Sequence, residues 1–205
     1  MNTKTLAAAA AALAVVFAAA ACGDSETNTT AASGTTTAGT SASEEAHNQA
    51  DVMFAQMMIP HHSQAVQMSD MLSAKNGIPE PVTDLAEQIK AAQAPEIDQL
   101  TTWLEQWGEP THTQGMHGMD HDMPGMEGME GMMSEQDMRT LSEAQGTDAA
   151  RLFLTQMIAH HQGAITMART ETDKGQFPPA VQMAHDIVDT QQQEIGTMQQ
   201  LLTTL

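Results

Sequence analysis

A motif written twice, ninety-nine positions apart, constrains this chain more than any other feature. Met57-Met58-Ile59-Pro60-His61-His62 returns as Gln156-Met157-Ile158-Ala159-His160-His161. At the same spacing Phe54 maps onto Phe153, Ala65 onto Ala164 and Met68 onto Met167. A second block follows each copy. Leu85-Ala86, Ile89, Gln93, Glu96-Ile97 and Leu100 reappear as Met183-Ala184, Ile187, Gln191, Glu194-Ile195 and Met198, now ninety-eight positions on. Two copies are too few for a solenoid, whose units must stack on several neighbours to bury a continuous core. They predict a pseudo-symmetric pair of helical hairpins.

The apolar spacing supports helices throughout. Phe54, Met58, His61, Ala65, Met68 and Leu72 follow one another at three or four residues, which is one face of an α-helix. Asn48, with Asp51 three residues later, is a helix start, and Asn76-Gly77 is a stop. Pro79 and Pro81 open a second helix that Trp107-Gly108-Glu109-Pro110 closes. The second copy repeats the plan: a helix capped by Thr147 or Asp148 that ends near Lys174-Gly175, then one opened by Pro178-Pro179. A short helix from Ser134 to Gln145 should dock through Met138 and Leu141. Pro60 and Pro95 fall inside helices and have Ala159 and Gln193 as their counterparts, so each should perturb its own half only. Short connections within each hairpin make its helices antiparallel neighbours. The expected fold is all-α: a four-helix bundle over residues 47–205, with repeat 1 at 48–107 and repeat 2 at 147–204.

The N-terminal region is of another kind. Residues 1–21 read as a secretory signal, with Lys4, an apolar run from Leu6 to Ala20 and small residues at 19–21. Cys22 follows, and it is the chain's single cysteine, so no intrachain disulfide can form. The arrangement resembles a bacterial lipoprotein signal, which implies lipid attachment at Cys22 and anchoring on the extracytoplasmic face of the membrane. Residues 22–46, rich in Ser, Thr and Ala, read as a flexible tether. With 7 basic and 26 acidic residues the formal charge is −19, which repels nucleic acid and draws cations.

Met numbers 18 and His 9, against 3% aromatics, and their placement points to chemistry. In the link at 111–133, Met116, Met119, Met123, Met126, Met129, Met132 and Met133 recur every few residues, with His112, His117 and His121 between them. Glycines through the same stretch prevent a regular apolar face, so core packing does not account for the methionines. Thioethers need no deprotonation and select soft ions such as Cu(I) or Ag(I), while imidazoles extend the set toward Cu(II). Inside the bundle, His61 and His160 lie on inward stripes. Glu96 and Glu194 lie on the partner helices, each three residues after a glutamine, Gln93 or Gln191. His62 is rotated about 100° from that stripe. Two His and two Glu converging on the axis would be a candidate metal set, or two self-satisfied His–Glu pairs. No Gly-rich phosphate loop, zinc ribbon or nucleophile elbow is present.

The doubled Phe-x-x-x-Met-Ile-x-His-His-x-x-Ala-x-x-Met, each copy followed by Ala-x-x-Ile-x-x-x-Gln-x-x-Glu-Ile, resembles the domain-of-unknown-function 305 family over about residues 48–204. That family is ferritin-like and includes CopM-type copper-binding envelope proteins. The resemblance implies an exported bundle that binds copper through Met and His. Carried onto this sequence, it implicates Met58, His61, Met157 and His160, with Met68 and Met167 behind them. The family pattern carries Asp at the position of Asp51, where the second copy has Ala150.

Three functions are therefore open. The first is a membrane-anchored protein that binds or buffers copper and is not an enzyme. The second is a ferritin-like redox enzyme with a centre at His61, Glu96, His160 and Glu194. The third is a metal-free interaction module with a methionine recognition surface.

Overall fold

A computed structural model describes residues 46–111 and 130–205, and among them the chain is all α. The elements are α1 (Gln49–Ser73), α2 (Glu80–Trp107), α3 (Glu135–Glu143), α4 (Gly146–Lys174) and α5 (Pro178–Thr204). α1 starts at a capping box. The Asn48 side chain accepts from the Asp51 amide, and Asp51 in turn accepts from the Asn48 amide. Ser134 and Asp137 make the same box for α3. Pro81 and Pro179 sit in the first turns of α2 and α5, where a missing N–H costs nothing. α1 and α2 continue through Pro60 and Pro95. α4 begins at Gly146, slightly ahead of the expected Thr147 or Asp148 cap, because Gly146 seats against Gly77 of the α1–α2 loop.

α1 packs along α2, and α4 along α5. The two hairpins join mainly through α1 and α4. α1 and α4 are antiparallel: the Asn48 side chain at the start of α1 donates to the Lys174 carbonyl at the end of α4, and Gly77 beyond α1 touches Gly146. α3 closes one side, with Leu141 fully buried and Met138 packed against the same cluster.

Buried side chains form two apolar clusters. One holds Phe54, Met58, Leu100, Trp103, Met167 and Ile187. The other holds Met68, Leu72, Ile89, Phe153, Met157 and Met198. In sequence, each helix crosses from one cluster to the other at His61, Gln93, His160 or Gln191, so a polar waist divides the core. At the outer end of the first cluster, Trp103 and Trp107 each meet Phe177 edge-on, at 5.4 and 5.3 Å between ring centroids, and His47 stacks on Trp107 at 4.5 Å.

Candidate metal centre at the polar waist

The doubled motif places its histidines in pairs. His61 of α1 and His160 of α4 face each other across the pseudo-two-fold, with ring centroids 3.7 Å apart and planes tilted by 39°. Both are buried, and none of their ring nitrogens has a hydrogen-bond partner. Burial pushes His61 down to about 3, helped by the neighbouring charges of His62 and His161, and only the Glu130 backbone carbonyl opposes this. Burial, then His61, His161 and His62, hold His160 well below the usual imidazole range. Both rings are therefore neutral at physiological pH.

His62 and His161 are also fully buried, although His62 lies about 100° from the apolar stripe. α1 is covered by α4 on one side and by α2 on another, so two adjacent faces point inward. His62 Nε2 lies 2.7 Å from Glu96 Oε2, and His161 Nε2 lies 2.7 Å from Glu194 Oε2. The glutamates thus partner the second histidine of each motif and do not converge on His61 and His160. Among the described residues, no three His, Cys, Asp or Glu side chains group to hold one ion. The four-residue centre of His61, Glu96, His160 and Glu194 is not assembled.

Gln93 and Gln191 line the waist from α2 and α5, and both are buried. Neither polar atom of the Gln93 amide has a partner, nor does the carbonyl oxygen of Gln191. Each such group costs about 1–3 kcal/mol when buried unpaired, so the waist is an expensive feature to keep in both copies. The donor set fits a soft or borderline ion: neutral imidazoles with free lone pairs, and thioethers. Met58 and Met157 are fully buried one turn from His61 and His160. Met58 shares its cluster with Met167, and Met68 shares the other with Met157 and Met198, so buried thioethers stand on each side of the waist.

Of the link, Met116, His117, Met119, His121, Met123, Met126 and Met129 lie outside the described residues, as does Cys22. Met132 is half-buried where the link re-enters the bundle. There Gly131 takes φ +86°, in the left-handed region. A Cβ on Gly163 of α4 would collide with the Glu130 carbonyl, and the Gly131 Cα lies 3.0 Å from that same position. The Gln64 amide holds the Met133 backbone at two points, donating to its carbonyl at 2.9 Å and accepting from its N–H at 2.7 Å. Gln64 and Gly163 are repeat counterparts, ninety-nine positions apart.

A second buried polar group was not anticipated. Asp51 is fully buried and accepts from the amides of Asn48 (2.6 Å), Gln176 (3.0 Å) and Phe177 (2.9 Å). Glu171 of α4 faces it, also buried. Burial pushes Glu171 up to about 8, and the neighbouring Asp51 carboxylate adds to the rise. Burial alone would raise Asp51, but the Glu171 hydrogen bond and the three amides outweigh it and keep Asp51 below the usual carboxylate range. The signal lay in the helical stripe: Glu171 falls four residues after Met167, where repeat 1 has Leu72 after Met68.

The sequence profile of the domain of unknown function DUF305 matches residues 51–202. This chain belongs to the DUF305 family. Solved DUF305 structures share its fold. A fragment from Deinococcus radiodurans is 32% identical, covering 77% of this chain and 98% of its own, with a TM-score of 0.65. A Streptomyces coelicolor DUF305 protein assigned as secreted is 29% identical, covering 76% and 91%, with a TM-score of 0.67. CopM in its Cu(II)-bound form is 31% identical, covering 75% and 96%, with a TM-score of 0.60, and it has also been solved with Cu(I) and with Ag. Among curated proteins none matches. No described helix is long and apolar enough to cross a membrane.

Proposed function

We propose that this DUF305 chain is an extracytoplasmic copper-binding protein that holds or buffers Cu(I) and Cu(II) for copper homeostasis or resistance. The observation that carries this reading is the His61–His160 pair: 3.7 Å apart, neutral, buried and without hydrogen-bond partners, with buried methionines in the clusters on both sides. Membership of a family in which CopM holds Cu(I), Cu(II) and Ag supports the choice of metal. In this reading the Met- and His-bearing link captures ions, and its acidic side chains raise their local concentration. The waist holds them through His61 and His160, with the thioethers of Met58 and Met157 one turn away and those of Met68 and Met167 behind them. The role is binding and not turnover. Export rests on the N-terminal segment and on the secreted Streptomyces relative, and lipid at Cys22 would keep the bundle at the membrane surface.

The test is anaerobic Cu(I) titration of residues 47–205 against a competing chelator, beside the same chain lacking residues 112–129. Two classes of site are expected, and deletion should remove the link class while the waist class persists. Absence of competitive Cu(I) binding in the intact chain would overturn the reading.

A further inference from the structure

Glu130–Met133, a short non-helical stretch where the link re-enters, lies beside the waist, against α4 at Gly163 and α1 at Gln64. α1 and α4 supply the histidines, and buried Gln93 and Gln191 fall at the same crossing between the two clusters in α2 and α5. Where the link re-enters, the Glu130 carbonyl lies over α4 at Gly163. Gly131 lies on Gly163, one turn beyond His160, and Met133 is clasped by Gln64, one turn beyond His61. With this strap in place, His61 and His160 have essentially no exposure to solvent.

The two attachments differ from ordinary core packing. Gln64 spends both ends of its amide on one residue of a non-helical segment, and those two bonds are easily exchanged for water. Gly163 lets the strap lie flush on α4, which any side chain would prevent. A helix interior disfavours glycine by about 1 kcal/mol relative to alanine, so Gly163 is locally a cost. Segments held by few bonds open at a small fraction of the global unfolding free energy.

Building on the copper reading, we infer that Glu130–Met133 is a gate over the His61–His160 pair, with Gln64 as its latch and Gly163 as its seat, and that its opening limits how fast a soft monovalent ion enters and leaves. Gln64 and Gly163 are positioning residues: they hold the strap and need not touch the ion.

The experiment uses the full chain and Ag(I), a diamagnetic soft probe, with the ring signals of His61 and His160 followed by NMR. Gln64→Ala and Gly163→Ala are compared with the parent. Each variant should speed both entry and release by about tenfold, Gln64→Ala by losing its hydrogen bonds to Met133 and Gly163→Ala by pushing the strap off its seat, while the affinity of the pair stays constant. Hydrogen exchange at the Met133 amide should accelerate by a similar factor in Gln64→Ala without added metal. Gly163→Ala puts a Cβ where the Glu130 carbonyl lies and displaces the strap, so a thermal melt is run beside it, and Gln64→Ala carries the test if this variant does not fold. Unchanged rates in both variants, or an affinity that falls together with the rates, would overturn the gate and leave the copper reading intact. Failure of the parent chain to bind Ag(I) at these histidines would remove both.

Discussion

The two ends of the α1–α4 pair descend from the same repeat and have opposite chemistry. At one end Asp51 of α1 faces Glu171 of α4, both buried. Their counterparts ninety-nine positions away are Ala150 of α4 and Leu72 of α1, equally buried at the opposite end. One end is closed by two facing carboxyl groups and three amide hydrogen bonds to Asp51, the other by aliphatic contact. The waist between them is the same in both halves, down to the His–Glu distance of 2.7 Å. Closing an end of a bundle therefore has more than one solution and the copies have diverged there, whereas the waist has been held to one.

The sharpest way to break this comparison is to give the aliphatic end the other end's chemistry. Leu72→Glu should lower stability by about 4 kcal/mol, since a buried carboxylate there has no partner. Adding Ala150→Asp should recover a good part of that loss, because Asp would meet the amides of Gly77 and Ile78, the counterparts of Gln176 and Phe177. Chemical denaturation of the single and double variants checks both expectations. A double variant no more stable than Leu72→Glu would mean that the ends are not interchangeable.

A middle-sized effect concerns pH. Glu171 has a raised folded-state value of about 8 against an ordinary 4.5, so the native state binds its proton more tightly than the unfolded chain does. Its contribution is full below pH 4.5 and is lost as pH rises through 8. Asp51 works in the opposite sense: it is lowered from 3.8, so its contribution is present above that value and lost as acid protonates it. Glu171→Gln should remove the alkaline part of this profile, making the loss between pH 5 and pH 8 smaller by about 2 kcal/mol. Denaturation midpoints across that range are the measurement, and parallel profiles for parent and variant would show that Glu171 is not the titrating group.

The smallest expected change in stability comes from the waist itself. Replacing both histidines of the facing pair, as in His61→Leu with His160→Leu, exchanges unpartnered polar rings for apolar groups. Stability should hold or rise by about 1 kcal/mol. Waist-site metal binding should vanish, read by the same chelator competition. A large destabilisation would mean the rings serve folding and not binding.

Much of this architecture was legible from the repeat, the helical stripe and the caps: both hairpins, the inward His61 and His160, the α3 dock through Leu141, and the Asn48–Asp51 start. Three things were not. The burial of His62 and His161 does not follow from the stripe rule, which assumes one buried face per helix, and α1 and α4 each have two. Glu171 gave no local signal of burial, although its counterpart Leu72 marked that position as interior. The strap seated on Gly163 was hidden because a glycine within a helix carries no mark of what lies against it. All three are properties of neighbours and not of the local segment.

The aromatic group at the carboxyl end has an optical consequence. The chain has two tryptophans and no tyrosine. Both tryptophans rest against Phe177, whose own amide donates to Asp51. Tryptophan emission from this protein thus originates from one end, beside the group that titrates and away from His61 and His160. A metal titration that leaves the spectrum still would keep the ion clear of that end, including His47, which stacks on Trp107.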